Sequence, residues 1–266
     1  MTAASFSKLA FSITVVSLAL GVTAQAAALR TFVKSTGSDS NTATNCAVAN
    51  PCRTLAQAFT VTSNNGEIIV IDAAGYGGLT INRGVSIVGF EGAVIGVAAS
   101  ATGITVTAAA NDVVTISNVL ISAGGAASTT GIVVNSGRVI LENVSLRMLT
   151  TGLIANTVRV DVIDTDINGN TTGVVANGTG ANPNSFPITG ATQVRLWRGS
   201  VFGNTTGFTM NNPGADLKSV LVQTTGSQLT TGIAGNATLV NGTGTGCPDT
   251  CGSFGLIQSQ TNSNPN

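Results

Sequence analysis

Hydrophobic and polar positions alternate along most of this chain in short runs, and the runs return in a fixed order. The clearest run begins Thr-Thr-Gly, continues through apolar or small residues and ends on Asn, at residues 129–135, 150–156, 171–177, 205–211 and 230–236, with a looser copy at 102–107. Its glycines, Gly131, Gly152, Gly173, Gly207 and Gly232, step by 21, 21, 34 and 25 residues, so one structural unit recurs with insertions confined to particular turns. A second run follows each Asn, with Val114 and Ile116, Val139 and Leu141, Val160 and Val162, or Val194 and Leu196 in alternate positions. After one polar corner residue comes a third run, marked by Val119 and Ile121, Val144 and Leu146, Thr165 and Ile167, or Gly199 and Val201. Three period-two runs per unit predict three short strands whose alternate Val, Ile and Leu face inward, which makes each unit one triangular coil of a parallel β-helix.

Stacked coils bring equivalent residues roughly 4.8 Å apart in parallel strands, so identical residues form columns. Asn135, Asn156, Asn177, Asn211 and Asn236 are expected to form a ladder whose amides bond one another and satisfy polar groups that turn inward at a corner. The repeated glycines are expected to supply unusual backbone angles where loop meets strand. Solenoids grow by adding coils to one continuous core, so residues 27–246 are read as one β-helix domain and residues 247–266 as a disulfide loop with a flexible tail.

The ends carry different signals. Lys8, an apolar run over residues 9–22 and Ala24-Gln25-Ala26 have the layout of a secretory signal peptide over residues 1–26, cleaved after Ala26. The apolar run is shorter than the roughly 20 residues a spanning helix needs, so the expectation is a secreted or periplasmic product with no membrane span after cleavage. In an exported chain the two local cysteine pairs, Cys46 with Cys52 and Cys247 with Cys251, are read as disulfides. The absence of histidine argues against a zinc site. Residues 53–59 place Leu55 and Phe59 four apart, the spacing of a short amphipathic helix that covers the open end of the strand stack. With 11 basic and 11 acidic residues and 8% charged overall, nothing here holds nucleic acid. Oligomeric state is left open.

The segment 54–59, then residues 68–72, Gly75-Tyr76, residues 79–82 and 85–89, resembles the entry of right-handed parallel β-helix proteins of the pectin-lyase-like superfamily, in which a capping helix leads into the first coils. The resemblance runs from about Arg30 to Thr243 and is nearest to exported bacterial proteins of this type; it implies an all-β, single-stranded right-handed parallel β-helix with a short N-terminal capping helix. Pectate lyases and their relatives carry their chemistry on the sheet that corresponds to the repeated Thr-Thr-Gly run. The outward positions of that sheet here are Val133, Ile154, Val175, Thr209 and Ala234, none of which transfers a proton or offers calcium a carboxylate. The histidine used by the superfamily's polygalacturonases and epimerases is missing.

Charge gathers elsewhere. Aligning the coils sets Asp161 beside Arg195 and Asp164 beside Arg198 in adjacent rungs, with Asp166 on the next short strand and Trp197, the single tryptophan, facing outward. Trp197, Arg195 and Asp161 would suit a polysaccharide or cell-surface glycan, with an aromatic platform edged by charged groups. Asp161, Asp164, Arg195 and Arg198 would serve a displaced lyase or hydrolase site, the one reading in which calcium enters as a cofactor. Cross-strand ion pairs that hold register are the third reading. The long step between Gly173 and Gly207 contains residues 178–187, rich in Gly, Asn and Pro, a loop expected to project and to fold Phe186 over the outward apolar column.

Overall fold

The computed structural model describes residues 27–177 and 192–211 and three short strands beyond them, Val220–Gln223, Ile233–Ala234 and Ala237–Val240. The signal-peptide segment 1–26, the insertion with Phe186, Asn236, the side chain of Asn211, Cys247, Cys251 and the tail lie outside the described residues.

All but two of the described strands form three parallel sheets visited in turn by successive coils, and the remaining two, Val220–Gln223 and Ala237–Val240, pair in parallel as a separate two-stranded sheet. Sheet I holds the Thr-Thr-Gly runs: Leu79–Ile81, Thr102–Thr107, Thr130–Ser136, Thr151–Asn156, Thr172–Asn177, Thr206–Asn211 and Ile233–Ala234. Sheet II runs Ala28–Val33, Thr62–Val70, Val85–Val88, Val113–Ser117, Arg138–Glu142, Arg159–Ile163 and Gln193–Trp197. Sheet III is Gly75–Tyr76, Val94–Gly96, Leu120–Ser122, Ser145–Arg147, Asp166–Asn168 and Ser200–Phe202. Successive strands of each sheet pair in parallel, Val139 on Val160 and Leu146 on Ile167 for example. The chain is therefore an all-β parallel β-helix.

Alternation decides which side chains fill it. Val114, Val139, Val160 and Val194 stack inward from sheet II, Ile104, Ile132, Leu153, Val174 and Phe208 from sheet I, and Ile95, Ile121, Leu146 and Ile167 from sheet III, all essentially without solvent contact. Each such side chain gains about 1.5–3 kcal/mol on leaving water, and the gain repeats coil after coil.

The N-terminal end is closed by helix α1, Leu55–Val61, which buries Leu55, Ala58 and Phe59. The Thr54 hydroxyl caps α1 by accepting from the Gln57 N–H at 3.2 Å, and Asp39 accepts from the Arg53 and Thr54 N–H groups at 2.9 Å each. At the other end of α1, Arg83 lies 3.8 Å over the Phe59 ring and donates to the Phe59 and Thr62 carbonyls, where a helix leaves its last acceptors unpaired. Burial pushes the Arg83 guanidinium below its ordinary pKa. Ahead of α1, Cys46 and Cys52 are joined as a disulfide with their Cα atoms 4.9 Å apart.

Two expectations are corrected. Gly131, Gly152, Gly173 and Gly207 do not occupy left-handed backbone, and Gly232 lies outside the described residues; the glycines at positive φ are others, such as Gly137 and Gly169. The role of the repeated glycines is close approach: a Cβ on Gly152 would lie 2.6 Å from the Gly173 carbonyl oxygen of the next coil, and Gly131 meets Gly152 in the same way. Nor does the Asn column turn inward. Asn156 donates to Asn135 and Asn177 to Asn156, each at 2.7 Å, but this ladder runs along the outer edge of sheet I, with Asn135 exposed and the other two half-buried. The inward amides are Asn170 and Asn204, each 3% exposed, at the corner from sheet III to sheet I. Asn170 accepts from the Leu149 N–H and donates to the Leu146 carbonyl, both at 3.0 Å, while Asn204 accepts from the Asn170 N–H at 2.9 Å and donates to the Ile167 carbonyl at 2.9 Å. Their sequence signal is the Asn immediately before Thr-Thr-Gly, present in these two coils alone among the five Thr-Thr-Gly repeats.

Candidate functional site on the outer face of sheet II

The last three described rungs of sheet II, Arg138–Glu142, Arg159–Ile163 and Gln193–Trp197, are held in one register that sets Asp161 opposite Arg195 and Ile163 opposite Trp197. Because Val160 and Val162 point inward, Asp161 and Ile163 must point outward, and the same parity turns Arg195 and Trp197 to that face. Arg138 and Arg159 occupy the outward column two residues before Asp161 and come from its preceding rung and its own.

Three guanidinium groups therefore close on one carboxylate. Arg138 donates to Asp161 from Nη2 at 3.0 Å and Nε at 3.3 Å, Arg159 approaches from the same strand at 3.4 Å, and Arg195 meets the other oxygen from the next rung. The Asp161 side chain is 4% exposed, whereas Arg138, Arg159 and Arg195 are 43%, 26% and 22% exposed. A carboxylate with both oxygens engaged by guanidinium donors is a clamp across three coils and carries two fewer charges than its partners, which leaves the face positive. Aligning the coils by sequence pairs Asp161 with Arg195 alone. Arg138 and Arg159 were legible in principle, since both open the second run of their coil at the same parity as Asp161.

Trp197 is half-buried on this face, and the Arg195 guanidinium carbon lies 5.9 Å from its ring centroid. The indole ring thus has over it a cation already oriented by Asp161.

Asp164 and Arg198 sit apart from the clamp, at the corner between sheets II and III. Arg198 holds Asp164 with two parallel bonds, Nε to Oδ1 at 2.8 Å and Nη2 to Oδ2 at 2.6 Å, on open surface. The Arg198 hydrogen bond draws the Asp164 carboxyl below its ordinary pKa and is returned as an upward shift on Arg198. Both residues, like Asn118 and Asn143 in the coils before them, adopt left-handed backbone, with φ between 47° and 57°. Asn143 donates to Asn118 at 2.8 Å along this column. Asp166 accepts from the Ser200 hydroxyl on sheet III. A shallow concavity opens beside this corner, lined among others by Phe90, Asn118, Asn143 and Asp164.

The candidate residues therefore fall into two groups rather than one: Asp161, Arg195 and Trp197 together, and Asp164 with Arg198 on the adjoining corner. Among the described residues no group of three His, Cys, Asp or Glu side chains is placed to hold a metal ion, and no helix is long and apolar enough to cross a membrane. No protein-family model matches the chain, and no curated protein or solved structure is similar enough to it to count as a match.

Proposed function

We propose that this is an exported, non-catalytic β-helix of the pectin-lyase-like kind that binds a polysaccharide or cell-surface glycan through the outer face of sheet II. The observation that carries the reading is the pairing of Trp197 with Arg195 next to a three-arginine cluster. An indole gives a sugar ring apolar contact, and oriented guanidinium groups close to it supply directed donors to hydroxyls or carboxylates. A flat face of this kind binds weakly per sugar and gains from several units in a row. The lyase alternative needs Arg195 or Arg198 as a base and the carboxylates as calcium ligands, yet each arginine is already held by a carboxylate and the two groups are separated by a corner of the coil.

The test is a panel of neutral and acidic polysaccharides scored separately for binding and for cleavage. Trp197→Ala is expected to abolish oligosaccharide binding with the β-sheet spectrum unchanged. Unsaturated product from a uronic acid polymer, lost in Arg195→Ala or Arg198→Ala, would replace the binding reading by the lyase. If wild-type protein neither binds nor cleaves, both fail, and the cluster is a register clamp.

A further inference from the structure

The outer face of sheet I differs from that of sheet II in a way that the packing of the coils does not require. Its strands Leu79–Ile81, Thr102–Thr107, Thr130–Ser136, Thr151–Asn156, Thr172–Asn177 and Thr206–Asn211 contain no Asp, Glu, Lys or Arg. The neighbouring face, in the same coils, carries Arg138, Glu142, Arg159, Asp161 and Arg195. Free surfaces of soluble proteins normally intersperse charge, so an uncharged face over six consecutive rungs calls for a partner that is itself neutral.

The columns of this face define that partner further. The parallel register stacks Thr102, Thr130, Thr151, Thr172 and Thr206 into an unbroken threonine column. Beside it runs Thr80, Thr105, Val133, Ile154, Val175 and Thr209, with Val133, Ile154 and Val175 half-exposed. The far edge is the Asn135–Asn156–Asn177 amide ladder, locked to itself at 2.7 Å per step. Threonine is stiff about χ1, so the all-threonine column is suited to repeating one orientation of methyl and hydroxyl at the strand spacing of about 4.8 Å. That repeat is close to the spacing of equivalent oxygens along one axis of hexagonal ice. Threonine hydroxyls donate and accept as lattice waters do, and the methyls and the Val/Ile column keep disordered liquid water from competing. An ice lattice has no place for an ion, which is the charge selectivity that this face shows.

Other occupants fit less well. Protein interfaces are enriched in aromatic residues and arginine at their centres, and glycan platforms use aromatic rings. The outward columns of sheet I have neither. We infer that the uncharged threonine-rich face of sheet I is an ice-binding surface. It is independent of the glycan reading, which rests on sheet II.

The experiment observes single ice crystals in purified protein below the melting point, together with adsorption of fluorescently labelled protein to a growing ice surface. Wild type is expected to facet the crystals, to open a gap between melting and freezing temperatures, and to coat the ice. Ile154→Lys and Thr151→Lys place a charge in the middle of the face and are expected to lose all three effects. Thr115→Lys, the same kind of change on the outward side of sheet II, is expected to keep them. Should the lysine variants fail to fold, Ile154→Thr, which extends the threonine array, must retain the effects. Wild type that neither shapes nor adsorbs to ice overturns the inference, as does an Ile154→Lys protein that folds and retains activity. A wild-type dimer made monomeric by Ile154→Lys, without ice activity in either form, would assign the face to a second copy of the chain instead.

Discussion

Asp161→Asn is the perturbation that best separates a structural cluster from a free one. Asparagine has nearly the volume of aspartate, so core packing is untouched and the change is one of charge and hydrogen bonding. In the wild type, one almost fully buried carboxylate receives Arg138, Arg159 and Arg195 from three consecutive rungs. Removing one partner of a buried ion pair costs about 3–5 kcal/mol when the remaining charge stays buried. Here the three arginines are 22–43% exposed, so water screens part of the uncompensated charge. Hydrogen bonds to charged groups contribute about 1.5–3 kcal/mol each at best, and the loss here is shared among donors that can partly resolvate. The expected destabilisation is therefore about 2–4 kcal/mol, between the exposed and buried limits. Urea unfolding followed by circular dichroism measures it, with a double-mutant cycle against Arg195→Gln and Arg138→Gln. Coupling should be larger with Arg195, the least exposed and most closely held partner. Asp164→Asn is the internal control: its pair with Arg198 is open to solvent, and the midpoint should hardly move. An Asp161→Asn midpoint equivalent to less than about 0.5 kcal/mol, the size of an ordinary surface change, would refute the clamp and leave the arginines without a structural purpose.

The two asparagine columns should respond differently. Asn170→Ala leaves the Leu149 N–H and the Leu146 carbonyl unsatisfied in the interior and is expected to cost about 2–4 kcal/mol, whereas Asn156→Ala exposes its partners to water and should cost about 0.5–1.5 kcal/mol; equal shifts in the unfolding midpoint would contradict the placement of the columns. Stability should also be bounded by pH on both sides through Asp72 and Tyr76. Burial raises the Asp72 carboxyl, but hydrogen bonds from Ser35 and Tyr76 outweigh it and hold the pKa below its ordinary 3.8, so this contribution is complete above that value and lost as pH falls through the folded pKa. Burial first, and then the bond donated to Asp72, push Tyr76 above its ordinary 10.0, so its contribution is complete below pH 10.0 and lost as pH rises beyond it. Tyr76→Phe and Asp72→Asn, compared across pH by thermal unfolding, should flatten the alkaline and acid limbs respectively; unchanged limbs would show that these groups do not set the window.

What the sequence determined by itself was the coil. Period-two runs of Val, Ile and Leu in groups of three, returning every 21 to 34 residues, leave little freedom: the apolar positions must face one axis, and equal units must stack. Register followed from the same repetition, which is why Asp161 opposite Arg195 and the outward Val133, Ile154, Val175 and Thr209 of sheet I were legible in the sequence. The capping helix was legible from Leu55 and Phe59, since one i, i+4 pair has one buried face. What only the tertiary structure decided concerns side chains whose partners come from a different rung or whose role depends on distance. The Asn ladder and the Asn170 corner look alike in sequence, yet the bend of the coil sends one amide out and the other in. The repeated glycines could have served either unusual φ or close approach, and only the 2.6 Å gap to the next carbonyl chooses the second. Arg138 and Arg159 reach Asp161 because long side chains lean across neighbouring columns, a diagonal contact that strand pairing alone does not specify. The repeat specifies the backbone, and the backbone's curvature then assigns each polar side chain its partner or its solvent.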